Sequence, residues 1–174
     1  MPSMAWVPCE EPRHLSQQDC QDVLTLFLEE TGEQYAETSV RQLPIPAWGG
    51  NMKLVDLDVE QPPIEGVFWA TPFMDDIVRV AAFVVHRRHQ GKGYGTLAWS
   101  RFVRHAIEDG FDRVQLEVKA ANTRAQSFYT QRGLAVHDSL IGYYASGPGY
   151  MMRGPLRIGH GKDHDAQCGG GHRV

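Results

Sequence analysis

Val85-His86-Arg87-Arg88-His89-Gln90-Gly91-Lys92-Gly93-Tyr94-Gly95-Thr96 is the stretch on which the reading of this chain turns. It follows Ile77–Val85, an almost continuous apolar run. It precedes a segment in which Trp99, Phe102, Val103, Ala106 and Ile107 recur at helical spacing. Continuous apolarity marks a strand buried on both faces, and the 3,4-spaced stripe marks an amphipathic helix. A glycine-rich loop therefore carries a buried strand into a helix N-terminus. The first turn of a helix has backbone N–H groups with no intrahelical partner and the positive end of the dipole. Glycine lets a phosphate come close to that backbone, so Gly91, Gly93 and Gly95 fit an anion site. Arg87, Arg88 and Lys92 would add charge at its rim.

Two common phosphate patterns fail. The nucleoside triphosphate loop ends in Gly-Lys-Ser/Thr, but Lys92 is followed by Gly93. The dinucleotide fingerprint needs a different glycine spacing at the start of a βαβ unit. Gln90-x-x-Gly93-x-Gly95 instead satisfies Gln/Arg-x-x-Gly-x-Gly/Ala, the diphosphate loop of acyl-coenzyme A transferases. Arg88-x-x-Gly91-x-Gly93 satisfies it two residues earlier. The Gln90 frame is preferred because it puts Gly95 at the helix entrance. A merely steric glycine-rich turn is the plain alternative for the loop taken alone.

Working outward, Pro2, Pro8 and Pro12 leave residues 1–15 as an irregular lead or short edge strand. Ser16 reads as an N-cap with Asp19 three residues on, followed by Val23, Leu24, Phe27 and Leu28 at helical spacing, with a stop at Gly32. A weaker helix is expected over 33–42. Strands are expected over 54–59, 64–71 and 77–85 as an antiparallel meander, with a turn over 72–76. The Trp99 helix is expected over 96–108. Val114, Leu116 and Val118 alternate with Gln115, Glu117 and Lys119 in a strand over 113–119. Asn122 caps a helix over 123–131 that stops at Gly133. The last strands are expected over 134–144 and 150–156. A strand–helix–strand crossover implies a parallel pair.

The segment Leu116-Glu117-Val118-Lys119-Ala120-Ala121-Asn122-Thr123-Arg124-Ala125-Gln126-Ser127-Phe128-Tyr129-Thr130-Gln131-Arg132-Gly133-Leu134 resembles the second hallmark of the GNAT superfamily of N-acetyltransferases, with Leu134 in place of the usual Phe. Both hallmarks occur in order at the right separation. The Leu-Glu-Val strand before Asn122, and Tyr143-Tyr144 before Tyr150-Met151-Met152-Arg153, further resemble the protein N-terminal acetyltransferases, including the ribosomal-protein alanine type. The resemblance implies an α/β (α+β) GNAT fold, with a mixed sheet of about six to seven strands, an antiparallel N-terminal meander and helices on both faces.

It also implies chemistry: transfer of an acetyl group from acetyl-CoA to a primary amine, a polypeptide N-terminus being the first choice. Small-molecule amine acetylation (polyamine, amino acid or aminoglycoside) and a non-catalytic CoA sensor are the alternatives. Backbone groups of Phe83, Val84 and Val85 would pair with the pantetheine arm and polarise the thioester carbonyl. Gln90, Gly91, Lys92, Gly93, Tyr94, Gly95 and Thr96 would hold the diphosphate, and Asn122 the pantetheine or the chain near it. Tyr129 would donate a proton to the leaving thiolate. A protonated amine cannot attack a thioester, so a base is required. Glu117 matches the base of the N-terminal enzymes and projects to the polar side of its strand, although a salt-bridged strand residue is the plain reading. His86 and His137 are alternative bases. Tyr143 and Tyr144 would line the amine site. Cys9 and Cys20 lie far from both hallmarks, so direct transfer in a ternary complex is expected rather than an acyl-cysteine.

The remainder is boundary-setting. The 174 residues suit one domain, expected over 1–156. A Gly/His-rich tail over 157–174 shows no apolar periodicity and reads as disordered. A metal reading of His160, His164, Cys168 and His172 is set aside for irregular spacing. A net charge of −4 argues against nucleic acid as partner. No apolar run is long enough to span a membrane, no signal peptide is visible, and three scattered cysteines fit a reducing, cytoplasmic setting. Many members of the resembled family dimerise, so a homodimer is an option that no residue here fixes.

Overall fold

Strand β4 (Ile77–Val85) is the axis about which the molecule is built. In this computed structural model, which describes residues 3–157, it lies fourth in a seven-stranded sheet of order β1-β2-β3-β4-β5-β7-β6. The tail expected over 157–174, with its histidines and Cys168, lies outside the described residues save Arg157. Strands β1 (Met4–Pro8), β2 (Met52–Asp56), β3 (Gly66–Met74) and β4 form the expected antiparallel meander. Strand β5 (Arg113–Lys119) runs parallel to β4, and β7 (Gly147–Pro155) inserts between β5 and β6 (Ala135–Tyr144), antiparallel to both.

Four helices cover both faces. On one face α1 (Gln17–Thr31) and α2 (Glu37–Arg41) bury Cys20, Val23, Leu26, Phe27 and Val40 against Val67, Trp69 and Val84. Ser16 caps α1 by accepting the Asp19 N–H at 3.0 Å, and Gly32 ends it with φ of 75°. On the other face α3 (Tyr94–Glu108) and α4 (Thr123–Gln131) pack Trp99, Phe102 and Phe128 on Phe68 and Phe83. Most of these rings meet edge to face, at centroid separations such as 4.7 Å for Phe68–Phe83. Each such pair adds about 0.5–1.5 kcal/mol beyond its buried area.

Several boundaries differ from the sequence expectation, each for a local reason. The helix expected over 33–42 is confined to α2. The strand expected over 54–59 starts at Met52 and ends at Asp56, whose carboxylate accepts the Asp58 N–H at 3.0 Å and turns the chain. Pro72 lies inside β3 rather than in a turn. Strand β2 pairs with β3 only at Gly66–Phe68, so beyond that point the outer edge carries no strand among the described residues. There the buried Asn51 side chain takes the Ala70 N–H at 2.6 Å, and Pro72, two residues on, has its missing donor on that same side. Helix α3 begins at Tyr94, two residues early. Strand β7 begins at Gly147, leaving only Ala145-Ser146 as the hairpin turn.

The position of the site depends on one irregularity. Trp69 pairs with Ala82 but Ala70 pairs with Val80, so Ala81 is an extra residue in β4. A bulge reverses the alternation of side chains. Val78 and Val80 before it, and Phe83 and Val85 after it, consequently all face the α3 core. Pairing of β4 with β5 also stops there: it runs from Ile77 opposite Arg113 to Val80 opposite Leu116. Beyond that point the strands separate.

Candidate active site

The separation opens a cleft of about 570 Å³. Its strand walls are Ala81–Val84 of β4 and Leu116–Lys119 of β5. The last turn of α1 crosses its mouth and is held at both ends by cations. Arg87 Nη2 donates to the Glu29 carbonyl at 2.7 Å on the β4 side, and Lys119 Nζ donates to the Thr31 carbonyl at 2.5 Å on the β5 side. Positive groups at a helix C-terminus are favoured by the dipole and by its unpaired carbonyls. Lys119 also pairs with Glu33 at 2.9 Å, which accepts the Ser146 hydroxyl at 3.3 Å, so the segment after α1 meets the β6–β7 turn.

Among the sequence-predicted residues, Phe83, Val84, Glu117, Asn122, Tyr129, Tyr143 and Tyr144 all line this cleft. Tyr129 is fully buried, and its hydroxyl has no hydrogen-bond partner among the described residues. Burial, and then the nearby Tyr144, hold that phenol well above its ordinary range, so it stays protonated. Both Glu117 oxygens accept from Arg79 Nε, at 2.9 and 3.1 Å, and Arg79 Nη2 donates to the Tyr143 hydroxyl at 3.2 Å. Tyr143 and Tyr144 meet edge to face at 4.8 Å. Burial, followed by Tyr143 and Glu117, raises the Tyr144 phenol as well. Asn122 accepts the Ala125 N–H at 3.1 Å, capping α4.

Other predicted residues stand elsewhere. Val85 is buried outside the cleft, its carbonyl accepting from Gln90 Nε2 at 2.8 Å. Gln90 thus clips the loop to the strand that precedes it. In the loop, Gly93, with φ of 88°, is the N-cap of α3, Gly91 also has positive φ (74°), and Gly95 is buried in the first turn. Arg88 serves Glu65 instead, with contacts of 2.7 and 2.9 Å. Lys92 is exposed, while Tyr94 and Thr96 are half-buried. His86 accepts the Arg88 N–H through Nδ1, and His137 is exposed on β6; neither lines the cleft. Cys9 and Cys20 belong to the α1-side core, and burial pushes the Cys9 thiol up to about 11.

Residues 20–134 match the family model for the acetyltransferase (GNAT) family. The chain belongs to that family. Acetyl-CoA is the acetyl donor of GNAT enzymes, and this chain is accordingly an N-acetyltransferase with acetyl-CoA as its co-substrate. No curated protein matches the sequence. The fold is that of Ard1 from Thermoplasma volcanium (TM-score 0.73, 20% identity, covering 89% of this chain and 99% of that one). It is also that of the ribosomal-protein-S18-alanine N-acetyltransferase from Escherichia coli (0.67, 15%, 92% and 97%). A spermidine N-acetyltransferase SpeG chimera from Vibrio cholerae and hSSAT shares it too (0.63, 14%, 88% and 96%). Among the described residues no helix is long and apolar enough to cross a membrane.

Several residues in or beside this cleft escape a reading by motif. Arg79 is one, although a lone cation in the apolar run Ile77–Val85 was a usable signal. Arg132 is another: it donates to Thr96 Oγ1 at 3.1 Å and stacks 3.5 Å from the Phe128 ring, bringing positive charge to the first turn of α3. Glu30 and Glu33 carried no signal, because nothing local distinguishes them from the solvated carboxylates of any helix end.

Proposed function

We propose that this enzyme acetylates the N-terminal amine of a polypeptide by direct transfer in a ternary complex. The observation that carries the choice of acceptor is the pairing of charge at the inner cleft. Glu117 is taken by Arg79 and Glu33 by Lys119. A polyamine brings several ammonium groups and needs carboxylates left unneutralised to meet them. A peptide end brings one amine and a neutral, amphipathic backbone, which suits the tyrosine-lined wall of Tyr35, Tyr143 and Tyr144.

In this reading the N–H groups of Gly91–Thr96 hold the diphosphate, helped by the α3 dipole and Arg132. Backbone groups of Ala81–Val84, freed from β5 by the bulge, pair with the amides of the pantetheine arm and polarise the thioester carbonyl. Glu117 takes the proton of the incoming amine, directly or through water, while Arg79 fixes its orientation. The amine lone pair attacks the carbonyl carbon, the carbon–sulfur bond breaks, the Tyr129 hydroxyl donates to the departing thiolate, and the second proton shed by the acylated nitrogen returns Tyr129 to the phenol. That hydroxyl is buried and has no partner among the described residues, as a donor reserved for a later partner would be. Its two unpaired described thiols, Cys9 and Cys20, suit a cytoplasmic enzyme.

Release of free thiol from acetyl-CoA, measured against peptides with varied N-termini and against spermidine, amino acids and aminoglycosides, tests the proposal. Turnover with peptides alone is expected. Turnover confined to free small amines overturns the acceptor assignment.

A further inference from the structure

Glu30, in the last turn of α1, has a role that the reaction above does not use. One of its oxygens, Oε2, accepts from the Arg87 backbone N–H at 3.1 Å and from Arg87 Nε at 3.2 Å. The other, Oε1, is buried and has no partner among the described residues. The side chain is 1% exposed, and Glu30 lines the cleft. A buried carboxylate oxygen left unpaired is costly, and native structures rarely keep one without a reason.

Position identifies a partner. Arg87 stands five residues beyond Ala82, at most roughly 16 Å along extended chain at about 3.3 Å per residue. Through Arg87, Glu30 is tied to the chain that leads from β4 into the Gly91–Thr96 loop, and it lines the same cleft as Ala82. On the proposed reading, the amides of the pantetheine arm use the free backbone of Ala81–Val84 and the diphosphate sits on the loop. Between those two parts coenzyme A carries one polar donor, the secondary hydroxyl of its pantoyl unit. The Arg87 guanidinium offsets the negative charge that Glu30 would otherwise bring near a diphosphate. We propose that Glu30 is a binding residue for coenzyme A whose free carboxylate oxygen accepts a hydrogen bond from the pantoyl hydroxyl. This rests on the reading of the cleft as the acetyl-CoA site.

Calorimetric titration of the full chain with coenzyme A, and with an analogue in which that hydroxyl is replaced by hydrogen, tests it without mutation. The unaltered chain should bind the deoxy analogue about 10- to 100-fold more weakly, the span expected for a hydrogen bond to a charged group. Glu30→Met keeps the length of the side chain and leaves no polar atom to meet the hydroxyl. That variant should bind coenzyme A about 10-fold more weakly and no longer distinguish the two ligands. Equal affinity of the unaltered chain for both ligands overturns the assignment, as does a discrimination that survives in Glu30→Met. An altered KM for the acceptor with unchanged affinity for coenzyme A also overturns it, by giving the oxygen to the amine. If Glu30→Met does not fold, the comparison of ligands on the unaltered chain decides alone. An unaltered chain that binds neither ligand breaks the reading of the cleft itself, a result distinct from binding both equally.

Discussion

Strands β4 and β6 are of similar length, nine and ten residues in one sheet, yet they live in different solvents. No residue of β4 is exposed, whereas eight of the ten in β6 are. Strand β4 lies between α1 on one face and α3 and α4 on the other, while among the described residues β6 is an edge paired only with β7. The chemistry divides the same way. The part of the reaction that is identical in every turnover, holding and activating the thioester, is assigned to the buried strand and the loop it feeds. The part that must suit a particular acceptor is assigned partly to the end of the exposed strand, where Tyr143 and Tyr144 stand.

The contrast can be broken first by stability. Phe68 is 0% exposed at the centre of the aromatic core and Ile141 is 92% exposed on β6. Phe68→Ala should cost about 3–5 kcal/mol and Ile141→Ala no more than about 0.5 kcal/mol in denaturant unfolding. Comparable losses at the two positions would mean that β6 is covered in solution by something the single chain does not contain.

Next in size is Tyr129→Phe. Removing the proposed donor should lower kcat by about 100- to 1000-fold. Affinity for coenzyme A should change little, and the melting temperature should hold or rise, because an unpartnered buried hydroxyl is removed. Unchanged turnover would take the role of proton donor away from Tyr129.

What could be read from sequence follows the same divide. Gly91, Gly93 and Asn122 were legible because each answers a backbone demand that few other residues meet at that spacing, and the motif that contains Tyr129 put it in the cleft. The bulge at Ala81 was not, since an added residue inside Val80-Ala81-Ala82-Phe83 leaves an apolar run looking like any other. The contact of Arg79 with Glu117 joins residues 38 positions apart, and only the parallel register of β4 and β5 brings it about. Gly147-Pro148-Gly149 reads as a loop, yet it is the start of a strand. Its glycine at 149 is there for close approach: an added Cβ would lie 2.5 Å from Tyr144 Cε2 and 2.8 Å from the Val118 carbonyl oxygen.

That approach gives a sharper test of the division between the two regions. In Gly149→Ala either the β5–β7 pairing opens or the Tyr144 ring swings away, at a cost of about 1–3 kcal/mol. The disturbance falls on the acceptor wall and leaves the Gly91–Thr96 loop untouched. KM for the acceptor should rise several-fold if Tyr144 serves the acceptor as proposed, with the affinity for coenzyme A unchanged. Equal losses in both would show that the two walls of the cleft behave as one unit.

The smallest expected effect concerns the buried side alone. His89 is packed among Tyr94, His86 and the Glu65 carboxylate, which lies 3.3 Å from Nε2. Burial lowers its pKa below the usual 6.5 and outweighs the opposing pull of Glu65. The native state therefore prefers the neutral ring, and the unfolded chain takes up a proton first as pH falls. The contribution is complete above pH 6.5 and is lost as pH drops through the lower, folded value. Thermal melts from pH 7.5 to 5 should fall more steeply in the unaltered chain than in His89→Gln, by about 2 °C or less. A steeper fall in the variant would mean that Glu65 dominates and that the ring is held charged, which would turn the His89–Glu65 contact at the start of the loop from a neutral one into an ion pair.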